Sequence, residues 1–535
     1  MKKRLLALAL GLVLAFGAAA CSSGESSAET TPTTPASNTV VVAIGSGFTN
    51  LDPSYCYEKY PHVPLNACYE NLFKFFSNDG APEPLLVDTY EFSEDNMSLT
   101  MTLKDGIVFA SGNPMTSADV KFSLMRCKNL KGNPSFITDT IASIDTPDEK
   151  TVVLNFTTPD SAILSKLTYN SLAILDSEVV KANGGTDAED AATADTAMAY
   201  LNTTSAGSGM YIMTKYTPDD EIVLEKNPNY WGTPTNVDKY IIKIQPDPNT
   251  QMMTLAGGDV DIAVNLTQDT AEELAGAEGV EILSTASKSV IFTMANMDPA
   301  IGGPVADPKV QQAIRLALDY EGIQMLCGEG TVTPYSIIQT GFMGAKGERP
   351  TSYRNVEEAK KLWAAGLAEL GEDSVELTLI FDDEESVKLV AEFIQQELQN
   401  NLEGLTITLQ PYPKKQRSDL MKAHDYDIGL CRWGPDYADP LTYMDLWTDG
   451  YTHNYGNWHS DEYMEILGKI KTVESAVNPE ARWELIKQAE QIIADEAVIL
   501  PVYQNANASL VKADVSGIEF HAVGLNRVYN NVTFG

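Results

Sequence analysis

Alternating helix and strand patterns in the second half of the sequence place the strongest constraint on the fold. Apolar residues within 310–317 fall on one helical face, directly after Asp307 and Pro308, which suit a helix cap and a first turn. Further helix and strand patterns then alternate at residues 357–370, 375–381, 387–399 and 405–410. Elements in this order build a sheet that is covered by helices, so we expect an α/β fold.

The length of the chain predicts two lobes. Its 535 residues exceed the roughly 250–300 residues at which a single hydrophobic core stops growing. Residues 290–296 and 499–503 are apolar runs at which we expect the chain to pass between the lobes. The predicted division assigns residues 39–84, 207–289 and 504–535 to a first lobe, 290–503 to a second lobe and 85–206 to an extra β-rich subdomain.

Residues 85–206 have the patterns of a separate subdomain. An alternation of apolar and polar residues over 99–103 predicts a half-buried strand. Thr116 and Asp119 have the spacing of a capping box, so they predict the start of a helix and a structural role. Residues 181–204 are rich in Ala, Asp, Thr and Gly, and we expect a surface excursion there that is partly helical and not needed for binding.

The first residues have the pattern of a secretion signal, with a basic start, an apolar run and small residues before Cys21. Ala18 stands where Leu is usual in the signal of a lipoprotein. Residues 1–20 therefore predict a signal peptide, Cys21 a lipid-anchored first residue of the mature chain, and 21–38 a flexible linker. A plain signal peptide that is cleaved without lipid attachment is the alternative.

The charge balance disfavours partners that carry phosphate groups. The full sequence has 37 basic and 74 acidic residues, a net charge of −37. Without the three basic residues of the signal, 34 basic residues remain and the net charge becomes −40. Such a chain repels phosphates, so we expect neither nucleic-acid binding nor adhesion to anionic headgroups through a basic patch. No later run approaches the ~20 apolar residues of a membrane helix.

Cysteine and histidine patterns predict no metal site. Five of the six cysteines follow Cys21, and this odd number leaves at least one thiol free unless it pairs with another molecule. Cys56 and Cys68 are close in sequence, and export permits a disulfide between them as one possibility. The five histidines are scattered singly and no C-x-x-C pair occurs, so we expect neither a metal nor a cofactor.

The segment 431–447, CRWGPDYADPLTYMDLW, contains the candidate site. Residues 426–431 predict a strand that ends before Gly434, and Asp439 with Pro440 predicts the cap and first residue of a helix. In an open α/β sheet, ligands bind at such a point, because loop side chains and free helix N–H groups converge at the carboxyl end of a strand.

Asp436 lies in the middle of this loop, between the aromatic residues Trp433 and Tyr437. A carboxylate between flat apolar side chains suits a small cation. Asp436 could instead cap a turn in the W-G-P-D sequence, and the two aromatic residues could line pockets or belong to the core. Asp439 fits a helix cap better than a second ligand group.

The sequence W-x-x-D-Y-x-D-P in this loop resembles the peptide-binding segment of the solute-binding lipoproteins of oligopeptide and dipeptide ABC importers. The resemblance covers nearly the whole mature chain and implies a two-lobed α/β fold of the periplasmic-binding-protein type II, with a hinge and an extra β-rich subdomain. Further motifs that resemble the family are LDP at 51–53, YENLF at 69–73, the long signature at 103–127, GSGMY at 207–211, NPNYWG at 227–232, GGDVDIA at 257–263, VQQAIRLALD at 310–319 and LPVY at 500–503.

The resemblance also implies a function and partners. It implies a monomer at the outer side of the cell membrane that captures a peptide between its lobes and delivers it to an ABC permease with its ATPases. By the same resemblance, Asp436 pairs with the free α-amino group of the peptide, while Trp433, Gly434 and Tyr437 contribute to the ligand site.

Two other functions stay open at this stage. Relatives with the same fold bind nickel chelates, haem, sugars or opines, and a fold does not fix its ligand. A secreted hydrolase is the other alternative, although the sequence lacks G-x-S-x-G, H-E-x-x-H and Walker A motifs. The serine in Gly207-Ser208-Gly209 stands where the family has a structural turn. We therefore expect a binding protein and not an enzyme.

Overall fold

The computed structural model describes residues 38–48, 50–57, 61–76, 81–274, 277, 279–287, 289–448, 451, 453–496, 498–518 and 532–534. The predicted signal peptide, the predicted lipid anchor Cys21 and the predicted linker up to residue 37 lie outside the described residues. Among the described residues, no helix combines the length and the apolar composition that a bilayer span requires.

The chain forms strands and helices throughout its described length. The strands are β1 Thr39–Ile44, β2 Phe73–Lys74, β3 Glu83–Pro84, β4 Val87–Phe92, β5 Ser98–Leu103, β6 Ile141–Asp145, β7 Thr151–Phe156, β8 Tyr211–Thr217, β9 Glu221–Lys226, β10 Lys239–Ile244, β11 Ile262–Thr267, β12 Val280–Ala286, β13 Val290–Ala295, β14 Val375–Asp382, β15 Leu405–Tyr412, β16 Ile428–Trp433, β17 Ile499–Tyr503, β18 Ala506–Lys512, β19 Val515–Ser516 and β20 Thr533–Phe534. The α-helices are α1 His62–Cys68, α2 Ser117–Leu130, α3 Ile163–Lys166, α4 Ser177–Ala182, α5 Ala191–Ala194, α6 Met198–Leu201, α7 Pro248–Ala256, α8 Gln268–Glu272, α9 Pro308–Ala317, α10 Tyr320–Cys327, α11 Val356–Leu370, α12 Glu385–Asn401, α13 Lys414–Lys422, α14 Leu441–Met444, α15 Asp461–Ile470, α16 Val473–Ala476 and α17 Pro479–Asp495.

A seven-stranded sheet in the order β12-β18-β11-β1-β10-β9-β8 defines what we call the first lobe. β1 pairs in parallel with β10 on one side and with β11 on the other, whereas β9 and β18 extend the sheet antiparallel. Val40, Val42 and Ile44 of β1 are fully buried, because a strand with neighbours on both sides places its β-branched side chains in the core. This strand leads directly into the loop that reaches the second lobe.

A five-stranded sheet in the order β15-β14-β16-β13-β17, with the helices that pack on it, defines the second lobe. β14 is parallel to β15 and β16, whereas β13 is antiparallel to β16 and β17. Helix α9 packs against α11, and α12 packs against β14 and β15. The alternating elements expected in this region are confirmed, since α11, β14, α12 and β15 begin and end within two residues of the predicted positions.

Among the described residues, the chain passes between the two sheets twice. One passage lies between Ala286, at the end of β12, and Val290, at the start of β13, and the other lies between Tyr503, at the end of β17, and Ala506, at the start of β18. The segments that were expected to cross, 290–296 and 499–503, instead lie mostly within strands β13 and β17 of the second lobe. The reason is that β13 is fully buried and pairs with a strand on each side, so the passage between the sheets occurs outside it.

A four-stranded antiparallel sheet in the order β4-β5-β7-β6 supports a separate core beneath helix α2. The alternation predicted for residues 99–103 is confirmed, because Leu99, Met101 and Leu103 are all buried. The predicted capping box also forms at the start of α2, where the Asp119 side chain accepts the backbone N–H of Thr116 over 2.8 Å.

The excursion at residues 181–204 is helical in part, as expected, but it is not only a surface feature. Asp195 lies in this segment and forms a buried ion pair with Arg126 of α2, with a separation of 2.8 Å. Arg126 also binds Asp52, in the loop after β1, over 2.7 Å. The buried guanidinium therefore ties the excursion to the first-lobe loop, an arrangement that composition alone does not reveal.

The buried thiol of Cys68 is not part of a disulfide, so the pair with Cys56 that the sequence permits does not form in this structure. Within the described ranges, no group of three or more His, Cys, Asp or Glu side chains could hold a metal ion. The described chain is thus a two-lobed α/β protein with an additional β-rich sheet.

Candidate functional site

The candidate loop begins at the end of β16, in the middle of the five-stranded sheet. β16 ends at Trp433, two residues later than predicted, and Gly434 with Pro435 follows directly. Because β16 and its neighbour β14 are parallel, the loop lies at the carboxyl end of both strands. This edge of an α/β sheet is where ligand sites usually form.

Asp436 lies where the two lobes meet. Its carboxylate Oδ1 accepts a 2.5 Å hydrogen bond from the hydroxyl of Tyr57, in the first-lobe loop that follows β1. Its backbone N–H donates to Oγ1 of Thr442 over 3.0 Å, which holds the loop against the start of α14. Among the described residues, no cationic side chain forms an ion pair with this carboxylate.

The electrostatic surroundings of Asp436 leave its charge poorly compensated. Burial raises the pKa of Asp436, while the hydrogen bond from Tyr57 and the proximity of His453 oppose that rise. Burial and then the Asp436 charge raise the pKa of Tyr57 well above its usual value, so this residue remains a neutral donor. A partly buried carboxylate that receives a single neutral donor side chain is well suited to binding a cation.

The aromatic neighbours of Asp436 contact the core and remain partly exposed. The indole Nε1 of Trp433 donates to the carbonyl oxygen of Thr442 over 3.1 Å, and its ring lies 5.2 Å from the ring of His453. The Tyr437 ring lies 5.6 Å from Nζ of Lys166, a residue of α3. Both aromatic residues pack against the second-lobe core. These contacts support the core interpretation of both side chains, whereas the pocket-wall interpretation stays a prediction.

Asp439 is used entirely within the protein. It is fully buried and forms two hydrogen bonds with the guanidinium of Arg482, at 2.7 and 2.9 Å. Its carboxylate also accepts the N–H of Leu441 over 2.9 Å and the hydroxyl of Ser165 over 3.3 Å. Helix α14 begins at Leu441, one residue later than predicted, but the Asp439 carboxylate accepts an N–H of its first turn, as expected of a helix cap.

Sequence reasoning missed three neighbours of Asp436. Tyr57 is 379 positions away along the chain, and only the meeting of the lobes brings the two together. Burial and then the charge of Lys422 lower the pKa of His453, against the opposing effect of the Asp436 charge. Thr442 is the one neighbour with a local signal, since a hydroxyl shortly after a turn often accepts a backbone N–H.

A second carboxylate, Glu70, joins three of the sequence motifs. Its oxygens accept the Trp231 indole N–H over 2.6 Å, the Ser208 hydroxyl over 2.8 Å and the Tyr230 hydroxyl over 3.2 Å. The pocket beside it has a volume of ≈ 250 Å³ and is also lined by Lys74. Glu70 thus receives three side-chain donors, whereas Asp436, which does not line this pocket, receives one from the described residues.

The segment Gly207-Ser208-Gly209 bends closely past the end of α1. A side chain at Gly207 would collide with the carbonyl oxygen of Cys68, and one at Gly209 with that of Ala67. The backbone of α1 approaches this closely only because both positions are glycines. The Ser208 hydroxyl donates to Glu70, which is the arrangement of a structural hydrogen bond.

Comparison with known proteins assigns the sequence to a family. The family described as "Bacterial extracellular solute-binding proteins, family 5 Middle" matches residues 81–455. The chain is 24% identical over 555 residues to the dipeptide-binding protein DppE of Bacillus subtilis (strain 168), and the match covers 98% of this chain and 97% of that protein. It is 26% identical over 521 residues to the dipeptide-binding protein of Lactococcus lactis subsp. cremoris (strain MG1363), with 90% and 92% covered.

Solved structures agree with the expected fold. HbpA2 from Haemophilus parasuis superposes with a TM-score of 0.81 at 19% identity, and the match covers 93% of this chain and 100% of that one. The periplasmic murein tripeptide binding protein MppA, in its unliganded open form, superposes with a TM-score of 0.78 at 19% identity, and the match covers 93% of this chain and 98% of that one. The chain therefore has the fold of a periplasmic binding protein. Because the family match extends over most of the sequence, the chain belongs to the bacterial extracellular solute-binding proteins of family 5.

Proposed function

We propose that this protein captures a peptide between its lobes and delivers it to an ABC import permease. The observation that carries the proposal is the Asp436 carboxylate, which lies between the lobes without a cationic partner among the described residues. The free α-amino group of a peptide supplies such a cation. The names of the relatives DppE of Bacillus subtilis and the Lactococcus lactis protein, both dipeptide-binding, support a peptide ligand.

In this proposal the ligand site comprises Asp436, Trp433, Gly434 and Tyr437. Asp436 pairs with the amino terminus, while the exposed faces of the two aromatic rings line the adjacent side-chain pocket. The proposed lobes are residues 39–84, 207–289 and 504–535 for the first and 290–503 for the second, with 85–206 as the extra subdomain. The separate sheets of these regions support that division.

A mass measurement tests this function. Native mass spectrometry of the purified protein weighs any retained ligand, and calorimetry with di-, tri- and tetra-alanine then measures binding directly. We expect a bound mass that fragments into amino acids, and release of the same intact molecule on denaturation. A retained haem, metal chelate or sugar would overturn the peptide assignment, and cleaved peptide in the mixture would indicate an enzyme.

We further propose that Cys21 is acylated and holds the protein, as a monomer, at the outer face of the cell membrane. The signal-like start and the small residues before Cys21 support this anchor. A Cys21→Ala variant is expected in the soluble fraction or the medium, since it lacks the lipid. Cell fractionation and blotting measure this, and a variant as membrane-bound as the parent would refute the anchor. Stable retention requires at least two acyl chains, because a single chain binds only marginally.

A further inference from the structure

Tyr57 contacts the candidate ligand group from the opposite lobe. It follows the short turn after β1, and its hydroxyl donates to Oδ1 of Asp436 over 2.5 Å. The ring is held by edge-to-face packing on Phe136, with centroids 6.0 Å apart, and by a tilted contact with Tyr169 at 6.4 Å. These two ring contacts orient the Tyr57 side chain so that its hydroxyl lies at Asp436.

The hydrogen-bonding capacity at this point is only partly used. Oδ2 of Asp436 accepts no hydrogen bond from the described residues and is not sealed from solvent. The phenolic oxygen of Tyr57 donates its hydrogen to Oδ1 and retains lone pairs that can accept another donor. Two adjacent acceptors, one charged and one neutral, therefore remain available on the two sides of the interlobe contact.

We infer that Tyr57 is a second ligand for the amino group that Asp436 binds. The ammonium donates one hydrogen to Oδ2 of Asp436 and a second to the phenolic oxygen of Tyr57, whose own hydrogen stays on Oδ1. This inference rests on the proposed peptide function and adds a specificity to it. A nitrogen with at least two N–H groups satisfies both acceptors, whereas a tertiary ammonium has only one N–H and leaves one acceptor without a partner.

The competing arrangement makes a different prediction. If the Tyr57 hydroxyl only occupied the place of the ligand, the ammonium would have to displace it, and removing the hydroxyl would strengthen binding. Oδ2 of Asp436 accepts no hydrogen bond from the described residues. This favours the arrangement in which Asp436 and Tyr57 both bind the ammonium, because the ammonium can bond to Oδ2 without displacing the Tyr57 hydroxyl.

The test combines one substitution with one change in the ligand. Calorimetry compares the parent with Tyr57→Phe, using the shortest of di-, tri- and tetra-alanine that the parent binds and the N,N-dimethylated form of that peptide. Tyr57→Phe is expected to bind the free-amine peptide about 3- to 10-fold more weakly, the effect of one lost hydrogen bond. The dimethylated peptide is expected to bind both proteins equally. Tyr55→Phe, in the same loop but without a hydrogen bond to Asp436, serves as the matched control and is expected to behave as the parent.

Each other outcome has a definite meaning. Tighter binding of the free-amine peptide by Tyr57→Phe would show that the hydroxyl competes with the ligand and would overturn the inference. An equal loss for both peptides would do the same, because it indicates a purely structural role. If the parent binds an alanine peptide and Tyr57→Phe binds the free-amine peptide equally tightly, this inference alone is refuted. A parent that binds none of the three peptides refutes it together with the proposed function.

Discussion

At the scale of single residues, ligand capture is expected to depend most on Asp436. Replacing it by Ala leaves the ammonium of the ligand without its charged partner, which costs about 2–5 kcal/mol and weakens binding about 30-fold to several thousand-fold. Acetylation of the peptide removes the same ammonium, so we expect a comparable loss in the parent. Calorimetry with the free and the acetylated alanine peptide on both proteins measures these losses.

The two losses are not expected to add, because each removes the same interaction, and a double-mutant cycle reports this directly. Asp425→Ala is the control, since Asp425 is an exposed aspartate just before the strand that leads to the loop. It is expected to bind as the parent does. If Asp436→Ala remains folded by circular dichroism and binds free peptide as tightly as the parent, Asp436 is only a turn residue.

Glu490 is expected to make the stability of the second lobe depend on pH. Its side chain is fully buried in α17, where Oε2 accepts the backbone N–H of Lys346 over 2.8 Å and Oε1 has no partner among the described residues. Burial raises the pKa of Glu490 to about 8, against the hydrogen bond from Lys346. The folded state therefore keeps a proton that the unfolded chain loses near its ordinary pKa of 4.5, and the free energy of unfolding falls as the pH rises between these values.

Glu490→Gln removes this titration. The stability of the variant relative to the parent is expected to rise between pH 5 and pH 8, by an amount of the order of a few kcal/mol. Urea denaturation of both proteins at the two pH values measures the difference. Glu480→Gln, at an exposed position of the same helix, is the control without this effect. An identical pH dependence in parent and Glu490→Gln would contradict the prediction.

Residue roles were predictable from sequence only where the signal was local. Asp436 could be identified as a candidate because turn residues and aromatic side chains surround it within a few positions. The ion pair of Asp439 with Arg482 and the contact of Asp436 with Tyr57 could not, because each partner lies on a distant element. Contacts of this kind depend on how the elements pack, which local patterns do not determine.

At the scale of elements, the apolar patterns located the helices and strands of the second lobe closely. α11 and α12 each have a buried face along their whole length. The apolar periodicity of the sequence therefore extends close to the observed ends of both helices. The end of β16 was less predictable. Its last residue, Trp433, pairs with Val290 at the start of β13, and this ladder extends the strand beyond the apolar run. The apolar run stops at Cys431, but the strand continues through Trp433 up to the Gly434-Pro435 turn.

Gln504 holds the two connections between the lobes together. It is fully buried, and its amide donates to the carbonyl oxygen of Ser287 over 2.9 Å and to that of Thr340 over 3.2 Å. Its side-chain oxygen accepts the N–H of Thr340 over 2.7 Å. Gln504→Ala leaves these buried groups without partners, and we expect a loss of about 2–4 kcal/mol in the free energy of unfolding.

Chemical denaturation of the parent and Gln504→Ala measures this loss. Gln416→Ala, at an exposed position of α13, is the matched control and is expected to leave the unfolding free energy unchanged within about 0.5 kcal/mol. If Gln504→Ala were as stable as the parent, water would have to replace the amide at the connection, and the role assigned to Gln504 would be wrong.

At the scale of the whole molecule, length and alternation were enough to predict two lobes, because a chain of this size cannot fill one core. The positions of the connections required the structure. Apolar runs marked β13 and β17 correctly as buried segments, but burial does not distinguish a strand that crosses between sheets from one that belongs entirely to the second. The connections themselves, at residues 287–289 and 504–505, are short and carry no apolar pattern.

These two connections are expected to act as the hinge for closure around the ligand, since the sheets of the two lobes are joined in sequence only there among the described residues. Small-angle scattering of the parent with and without a saturating alanine peptide is expected to show a smaller radius of gyration in the bound state. Asp436→Ala at the same peptide concentration provides the control, because a protein that does not bind the peptide has no reason to close around it. Comparing the change in radius of gyration between the two proteins separates closure from any contribution of the dissolved peptide to the scattering. A parent profile that does not change when calorimetry shows saturation would mean that the lobes are fixed, and that the ligand enters a cleft which is already formed.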